Sequence, residues 1–297
     1  MRVFVTGASG WIGSAVVDEL VAAGHDVIGL VRSDEGAAKV TAAGAEARRG
    51  DLDDLDTIRA GAEGADGVVH LAFKHDFTDF AASGRTERAA VETIGKVLEG
   101  SDRPFLFASG LPRVEPARPA TEEDASPFTT PDSPRGGGEH LALSYAERGV
   151  RPVGLRFPTT VHGRGDHGFV AQLVRIARER GVAGYVGDGT NHWPAVHRSD
   201  AAAAVALALT KAPAGSVIHP VAEQGIETRV IAEAIGSALG VPTASVAAPD
   251  AEAHFGWLGP IFAWDVQGSS AITRERLGWA PTGPTLLEDL DSGAYTS

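Results

Sequence analysis

Residues 6–13 read Thr6-Gly7-Ala8-Ser9-Gly10-Trp11-Ile12-Gly13, with glycines at every third position. The run before them, Val3 to Thr6, is short and apolar. The stretch after them sets Ile12, Val16, Val17 and Leu20 at helical spacing. Glycines in a strand–turn–helix context constrain a fold far more than glycines alone. Gly7 permits the tight turn, Gly10 lets the backbone approach a pyrophosphate, and Gly13 lets the helix pack closely on the sheet. The helix N-terminus then turns free amides and a positive dipole towards phosphates. Thr6, Ser9, Trp11 and Ile12 complete this candidate cofactor segment.

The rhythm set at the N-terminus continues. Apolar runs at 26–31, 45–48, 67–72, 104–109 and 151–157 read as strands, and 80–99 and 140–148 read as helices. Strands alternating with helices imply right-handed crossovers and an α/β fold, with a doubly wound parallel sheet buried on both faces. Residues 112–138 interrupt the rhythm with six prolines and three consecutive glycines, Gly136 to Gly138, so they form a long loop. The expected organisation is a Rossmann-type NAD(P)-binding core over 1–165 and a mainly substrate-binding part over 166–297. One further core strand is expected near 216–221.

Composition removes several functions. The chain has 26 Lys and Arg against 39 Asp and Glu, a formal net charge of −13, so no basic surface for nucleic acid is expected. It has no cysteine, which excludes disulfides, thiolate zinc sites and a cysteine nucleophile. Its ten histidines show no His-Glu-x-x-His spacing, and no metal site is expected. No run approaches the ~20 apolar residues of a membrane span. No leader pattern opens the chain. A cytoplasmic location is the expectation, with no membrane partner.

The end of the second strand separates the two nicotinamide cofactors. An NAD site places a carboxylate there for the ribose 2′-hydroxyl. Here the strand ends in Arg32-Ser33, and Asp34 and Glu35 follow later. Arg32 and Ser33 suit a 2′-phosphate, so NADP(H) is favoured over NAD(H). The alternative for Arg32 is a solvated loop side chain. Asp51 and Leu52 follow the third strand and suit the adenine, although Asp51 also suits an N-cap. Leu71, Ala72 and Phe73 close the fourth strand on the same side.

These residues resemble the extended, epimerase-like branch of the short-chain dehydrogenase/reductase superfamily. The resemblance rests on TGASGWIG at 6–13, GDL at 50–52, VVHLA at 68–72, FLFAS at 105–109, LRFPTTVHGRGD at 155–166, VHRSDAA at 196–202 and RERLGWAP at 274–281. It implies a sheet of about seven parallel strands, a small C-terminal substrate domain and a possible homodimer. It also implies that Pro158, Thr159, Thr160 and Val161 border the nicotinamide amide. The family's catalytic Ser, Tyr and Lys are not all here. The three tyrosines are Tyr145, Tyr185 and Tyr295, and none has Lys four residues on. Counting along the loop puts Pro131 at the Tyr position, Arg135 at the Lys position and Ser109 beside the Ser position. The resemblance is therefore to an atypical subgroup without Tyr-x-x-x-Lys. Arg135 can hold ribose hydroxyls as the Lys does, but it cannot act as a base.

A replacement proton donor is expected at the carboxyl ends of the strands. His75 and Asp76 are the first candidates, with Lys74 next. Each has a plain alternative as an exposed loop charge. Gly110, His162, His167, Phe169, His192 and Trp193 are the candidate substrate residues, with a structural role open for His162. The expected function is NADPH-dependent reduction of a carbonyl, or a C=C or C=N bond, on a moderately apolar small molecule. The rivals are a non-catalytic NADP-binding sensor and a sugar-nucleotide epimerase or dehydratase.

Overall fold

A computed structural model describes residues 1–74, 79–114 and 117–296. The first half alternates strand and helix: β1 (Arg2–Thr6), α1 (Trp11–Ala22), β2 (Asp26–Val31), α2 (Asp34–Ala42), β3 (Glu46–Arg49), α3 (Leu55–Glu63), β4 (Gly67–His70), α4 (Phe80–Leu98), β5 (Pro104–Gly110), α5 (Gly138–Ser144) and β6 (Arg151–Phe157). The second half runs through β7 (Thr160–His162), α6 (Phe169–Arg180), β8 (Ala183–Val186), β9 (His192–His197), α7 (Arg198–Lys211), β10 (Ser216–Ile218), β11 (Glu223–Glu227), α8 (Thr228–Leu239) and β12 (Thr243–Val246). It closes with the short helices α9 (Ala251–Phe255), α10 (Gly259–Phe262), α11 (Ala271–Leu277) and α12 (Leu286–Asp291).

Seven strands form a parallel sheet in the order β10-β6-β5-β4-β1-β2-β3. It is a Rossmann-type, doubly wound sheet. Both faces are covered, which is why strands such as Val3-Phe4-Val5 are continuously apolar rather than alternating. One face packs Val16, Val17 and Leu20 of α1 with Ala201, Ala204, Val205 and Ala208 of α7. The alanines of α7 let those two helices lie close. The other face packs Ile58 of α3, Ala90, Val91 and Ile94 of α4, and Tyr145. A Cβ at Gly95 would stand 2.2 Å from the Tyr145 ring, so α4 is notched to admit it. Tyr145 donates to Glu92 O at 3.1 Å and is fully buried. It is a core residue.

Chain order reverses around β1, which has β2 on one side and β4 on the other. Such a switch point opens a crevice beyond the strands' carboxyl ends. The later elements stand over that end. They form a three-stranded sheet, β11-β9-β7, and a two-stranded sheet, β12-β8. Their own core holds Leu173, Trp193, Ile231, Phe255, Phe262 and Leu286. The proline-rich loop is tied to this part. Ala120 N donates to Gln267 O and Ser269 N to Ala120 O. Arg156, only 2% exposed, reaches Asp124 O at 2.6 Å and pairs with buried Glu139. Among the described residues no helix is long and apolar enough to cross a membrane.

Candidate active site

A cleft of about 700 Å³ lies beyond the carboxyl ends of β1, β2, β4, β5 and β6. Its floor is the glycine turn. Gly7 has φ +71°, and a Cβ there would stand 2.8 Å from Ala72 N. A Cβ at Gly13 would stand 2.0 Å from Gly7 O, so the first turn of α1 sits directly on the strand end. Gly10 opens α1 with no side-chain cap, which leaves the first-turn amides to the cleft. Trp11 Nε1 donates to Val161 O at 2.7 Å and joins the glycine turn to β7.

Arg32 lies exposed on the cleft wall and has no ion-pair partner among the described residues. The nearby carboxylates are engaged elsewhere, Asp34 with Arg49 at 3.4 Å and Glu35 with Lys39 at 2.7 Å. Ser33 caps α2 by accepting from Gly36 N at 3.1 Å and does not line the cleft. Asp51 and Leu52 line it. Asp51 accepts from the amides of Asp53 and Asp54, while Asp54 caps α3. Leu71, Ala72 and Phe73 form the wall beyond β4.

The structure brings together only part of the expected catalytic set. His75 and Asp76 lie outside the described residues. Lys74 lines the cleft but pairs with Asp53, on the side of the Asp51 turn, and holds that carboxyl below its ordinary range. Arg135 does not line the cleft. It is bound through two bonds to buried Glu87, one of them 3.0 Å, with its guanidinium over Phe73 at 4.6 Å. Burial pushes the Glu87 carboxyl up, and the arginine pulls it back. Ser109 and Gly110 end β5 outside the lining.

Three other expectations, for Thr6, Trp193 and His192, are corrected, and His162 takes its structural alternative. Thr6 faces inward, with Oγ1 2.9 Å from His70 Nδ1, and so holds β1 to β4. His70 is held down to about 3 by burial and the charge of Arg135. His162 is fully buried with Nδ1 2.6 Å from Asp289, which makes it a structural link from β7 to α12. Trp193 is fully buried between Phe169 and Phe262. His192 is bound to Asp265 at 3.0 Å, away from the cleft.

The remaining wall runs from Asp166 through His167 and Phe169 to Trp257. Asp166 Oδ1 accepts from Gly168 N at 2.6 Å, and its other oxygen accepts from the Tyr295 hydroxyl. The His167 ring meets Trp11 edge-on at 5.8 Å. The sequence sets Asp166 just past the sixth strand and Trp257 in a late aromatic cluster readable as core or pocket; Asp166's bond to Tyr295 and Trp257's place on the rim rest on contacts between distant segments. Among the described residues no group of side chains suits a metal ion.

The model of the NAD dependent epimerase/dehydratase family matches residues 3–219. The chain belongs to that family. An uncharacterized protein of Schizosaccharomyces pombe is 47% identical over 295 residues, covering 99% of this chain and 100% of that protein. The 4-hydroxy-2-methyl-3-oxo-4-farnesyl-3,4-dihydroquinoline-1-oxide ketoreductase of Stigmatella aurantiaca is 30% identical over 226 residues, covering 73% of this chain and 67% of that protein. Among solved structures, MoeE5 in complex with UDP-glucose and NAD superposes with a TM-score of 0.74 at 24% identity, covering 99% and 97% of the two chains, a likeness of fold. This epimerase/dehydratase-family chain lacks the Tyr-x-x-x-Lys pattern.

The family's dinucleotide fits the residues present. Side chains at Gly7 or Gly13 would collide with backbone, the α1 amides have no side-chain cap, and Arg32 has no ion-pair partner among the described residues. Thr160 Oγ1, on the cleft wall and buried, has no hydrogen-bond partner among the described residues. That orphan lies where the resemblance puts the nicotinamide amide.

Proposed function

We propose that this chain is an NADPH-dependent oxidoreductase that reduces the carbonyl of a moderately apolar small molecule. The observation that carries this reading is one continuous cleft with two unlike ends. A glycine turn and Arg32, without an ion-pair partner among the described residues, form one end, and Phe169 and Trp257 form the other. The ketoreductase activity named for the Stigmatella aurantiaca relative supports it.

When bound, the dihydronicotinamide supplies a hydride to the carbonyl carbon. The chain's own residues do the rest. The glycine turn and α1 amides hold the pyrophosphate, and Arg32 holds a 2′-phosphate. Thr159 and Thr160 orient the carboxamide. The carbonyl oxygen needs a proton. Of the described groups on the acceptor-side wall, His167 is the one whose chemistry suits general acid catalysis.

The test follows NADPH absorbance against aldehydes, ketones, imines and enones, alongside a fluorescence titration of cofactor binding. Reduction of one carbonyl class, with kcat falling at least tenfold in His167→Asn and NADPH still bound, is expected. The second reading is a non-catalytic NADP-binding sensor. It is favoured by the engagement of both Lys74 and Arg135 with carboxylates. Tight NADPH binding with no consumption across the panel selects it.

A further inference from the structure

A file of aromatic rings crosses the smaller part of the molecule. Phe255 meets Phe262 at 5.2 Å, Phe262 meets Trp193 at 4.9 Å, and Trp193 meets Phe169 at 5.8 Å. Phe169 then meets Trp257 at 5.9 Å, with the ring planes 62° apart. The first members are core. The last lies on the rim of the cleft and is 46% exposed. Trp257 sits on a tight 3₁₀ turn, Gly256–Leu258, whose Leu258 is buried. The indole is therefore carried on an anchored turn rather than on a loose loop. A rigid ring offers a large contact area at little entropic cost and prefers offset or edge-on aromatic partners.

The charge pattern of the same wall is as specific. Between Asp166 and Trp257 the described lining holds one carboxylate and neither Arg nor Lys. The cations among the described lining residues are Arg32 and Lys74, both beyond β2 and β4 at the opposite end. A nucleoside diphosphate on this wall would set two negative charges against Asp166 and apolar rings, with neither Arg nor Lys among the described lining residues there to meet them. Desolvating charge without a partner is strongly unfavourable.

We propose that the acceptor half of this cleft selects a flat, uncharged aromatic carbonyl compound, with Phe169 and Trp257 as the residues that determine specificity. The proposal rests on the reductase reading for its word carbonyl, but the shape and charge selection stands on binding alone. Trp257 acts by stacking. It contributes nothing to the transfer of hydride or proton.

The experiment is calorimetric titration of the NADP-loaded full chain with 2-naphthylmethanol, cyclohexylmethanol and UDP-glucose. A parallel turnover assay uses the matching two aldehydes. The naphthyl alcohol should bind about tenfold tighter than the cyclohexyl one, the scale of one aromatic pair plus its buried area. Trp257→Ala should remove that ratio, Trp257→Phe should retain most of it, and NADP affinity should stay within twofold in both. UDP-glucose should not bind. The proposal is overturned if UDP-glucose binds tighter than the naphthyl alcohol. It is equally overturned if Trp257→Ala weakens both alcohols alike, or if neither alcohol binds. Binding as described without NADPH oxidation by either aldehyde defeats the reductase reading and leaves this selection standing.

Discussion

Tyr295, close to the end of the chain, donates its hydroxyl to Asp166 on the cleft wall at 2.8 Å. Burial and the charge of Asp166 push the phenol above its ordinary range, so it remains a donor. Asp166 in turn fixes Gly168 at the start of α6, beside His167. Tyr295→Phe should loosen the wall without unfolding the protein. A hydrogen bond is worth about 1 kcal/mol, or about fivefold in affinity. Turnover assays should therefore show the KM of the carbonyl acceptor rising about fivefold while the NADPH Kd stays within twofold and the chain remains folded. An unchanged KM would mean that the bond does not position this wall.

The proposed preference for NADP(H) rests on Arg32. A charge-assisted bond to a 2′-phosphate contributes about 1.5–3 kcal/mol, or roughly ten- to a hundredfold. Arg32→Ala should weaken NADPH by that factor and leave NADH within twofold. Equal losses for both cofactors would refute the assignment.

Gly13 has backbone for a neighbour on its open side. In Gly13→Ala the new methyl would meet Gly7 O, and neither atom sits on a side chain able to yield. Overpacking costs about 1–3 kcal/mol, and here the displacement falls on the pyrophosphate turn. Urea unfolding should show that loss, and NADPH binding should fall at least tenfold. Wild-type affinity in this variant would mean that the turn relaxes freely.

Arg135 answers to Glu87. Arg135→Ala would leave a carboxylate buried and unpaired, a loss of about 3–5 kcal/mol. Adding Glu87→Leu should recover much of it. Were Arg135 chiefly a ribose clamp, the single change would instead alter NADPH affinity at nearly full stability.

His70 and His219 set an acid limit. Burial holds them down to about 3 and about 4. Both titrate near 6.5 once unfolded, so below that pH the unfolded chain takes up protons that the folded chain refuses. The stability they give is complete above about pH 6.5. It is lost as pH falls, by about 1.4 kcal/mol per unit for each, until the folded values are reached. His70→Phe should flatten the slope of unfolding free energy between pH 6 and 4. A slope unchanged by that variant would show that His70 is accessible to protons in the fold.

The first half was legible because its strands and α1 owe their form to local pattern. Val3–Thr6, the glycine turn and the helical spacing of Val16, Val17 and Leu20 carry their own periodicity. The helix α2 escaped notice, because its nine residues bury only Gly36 and Val40 and so show no apolar stripe. The strands β7 and β9 escaped for the opposite reason. Their pairing, Thr160 with Ala195 and His162 with His197, is decided by distant chain. The site divided along the same line. Residues at strand ends were readable, since a parallel sheet gathers them. His192 and Trp193 were not, because Asp265 and Phe262, which claim them, lie far along the sequence.

Trp11 reaches from the glycine turn to Val161 and so braces the two banks of the cleft against one another. Any guest that spreads those banks must first break this bond, so the cost of opening is carried by the cofactor-side turn itself.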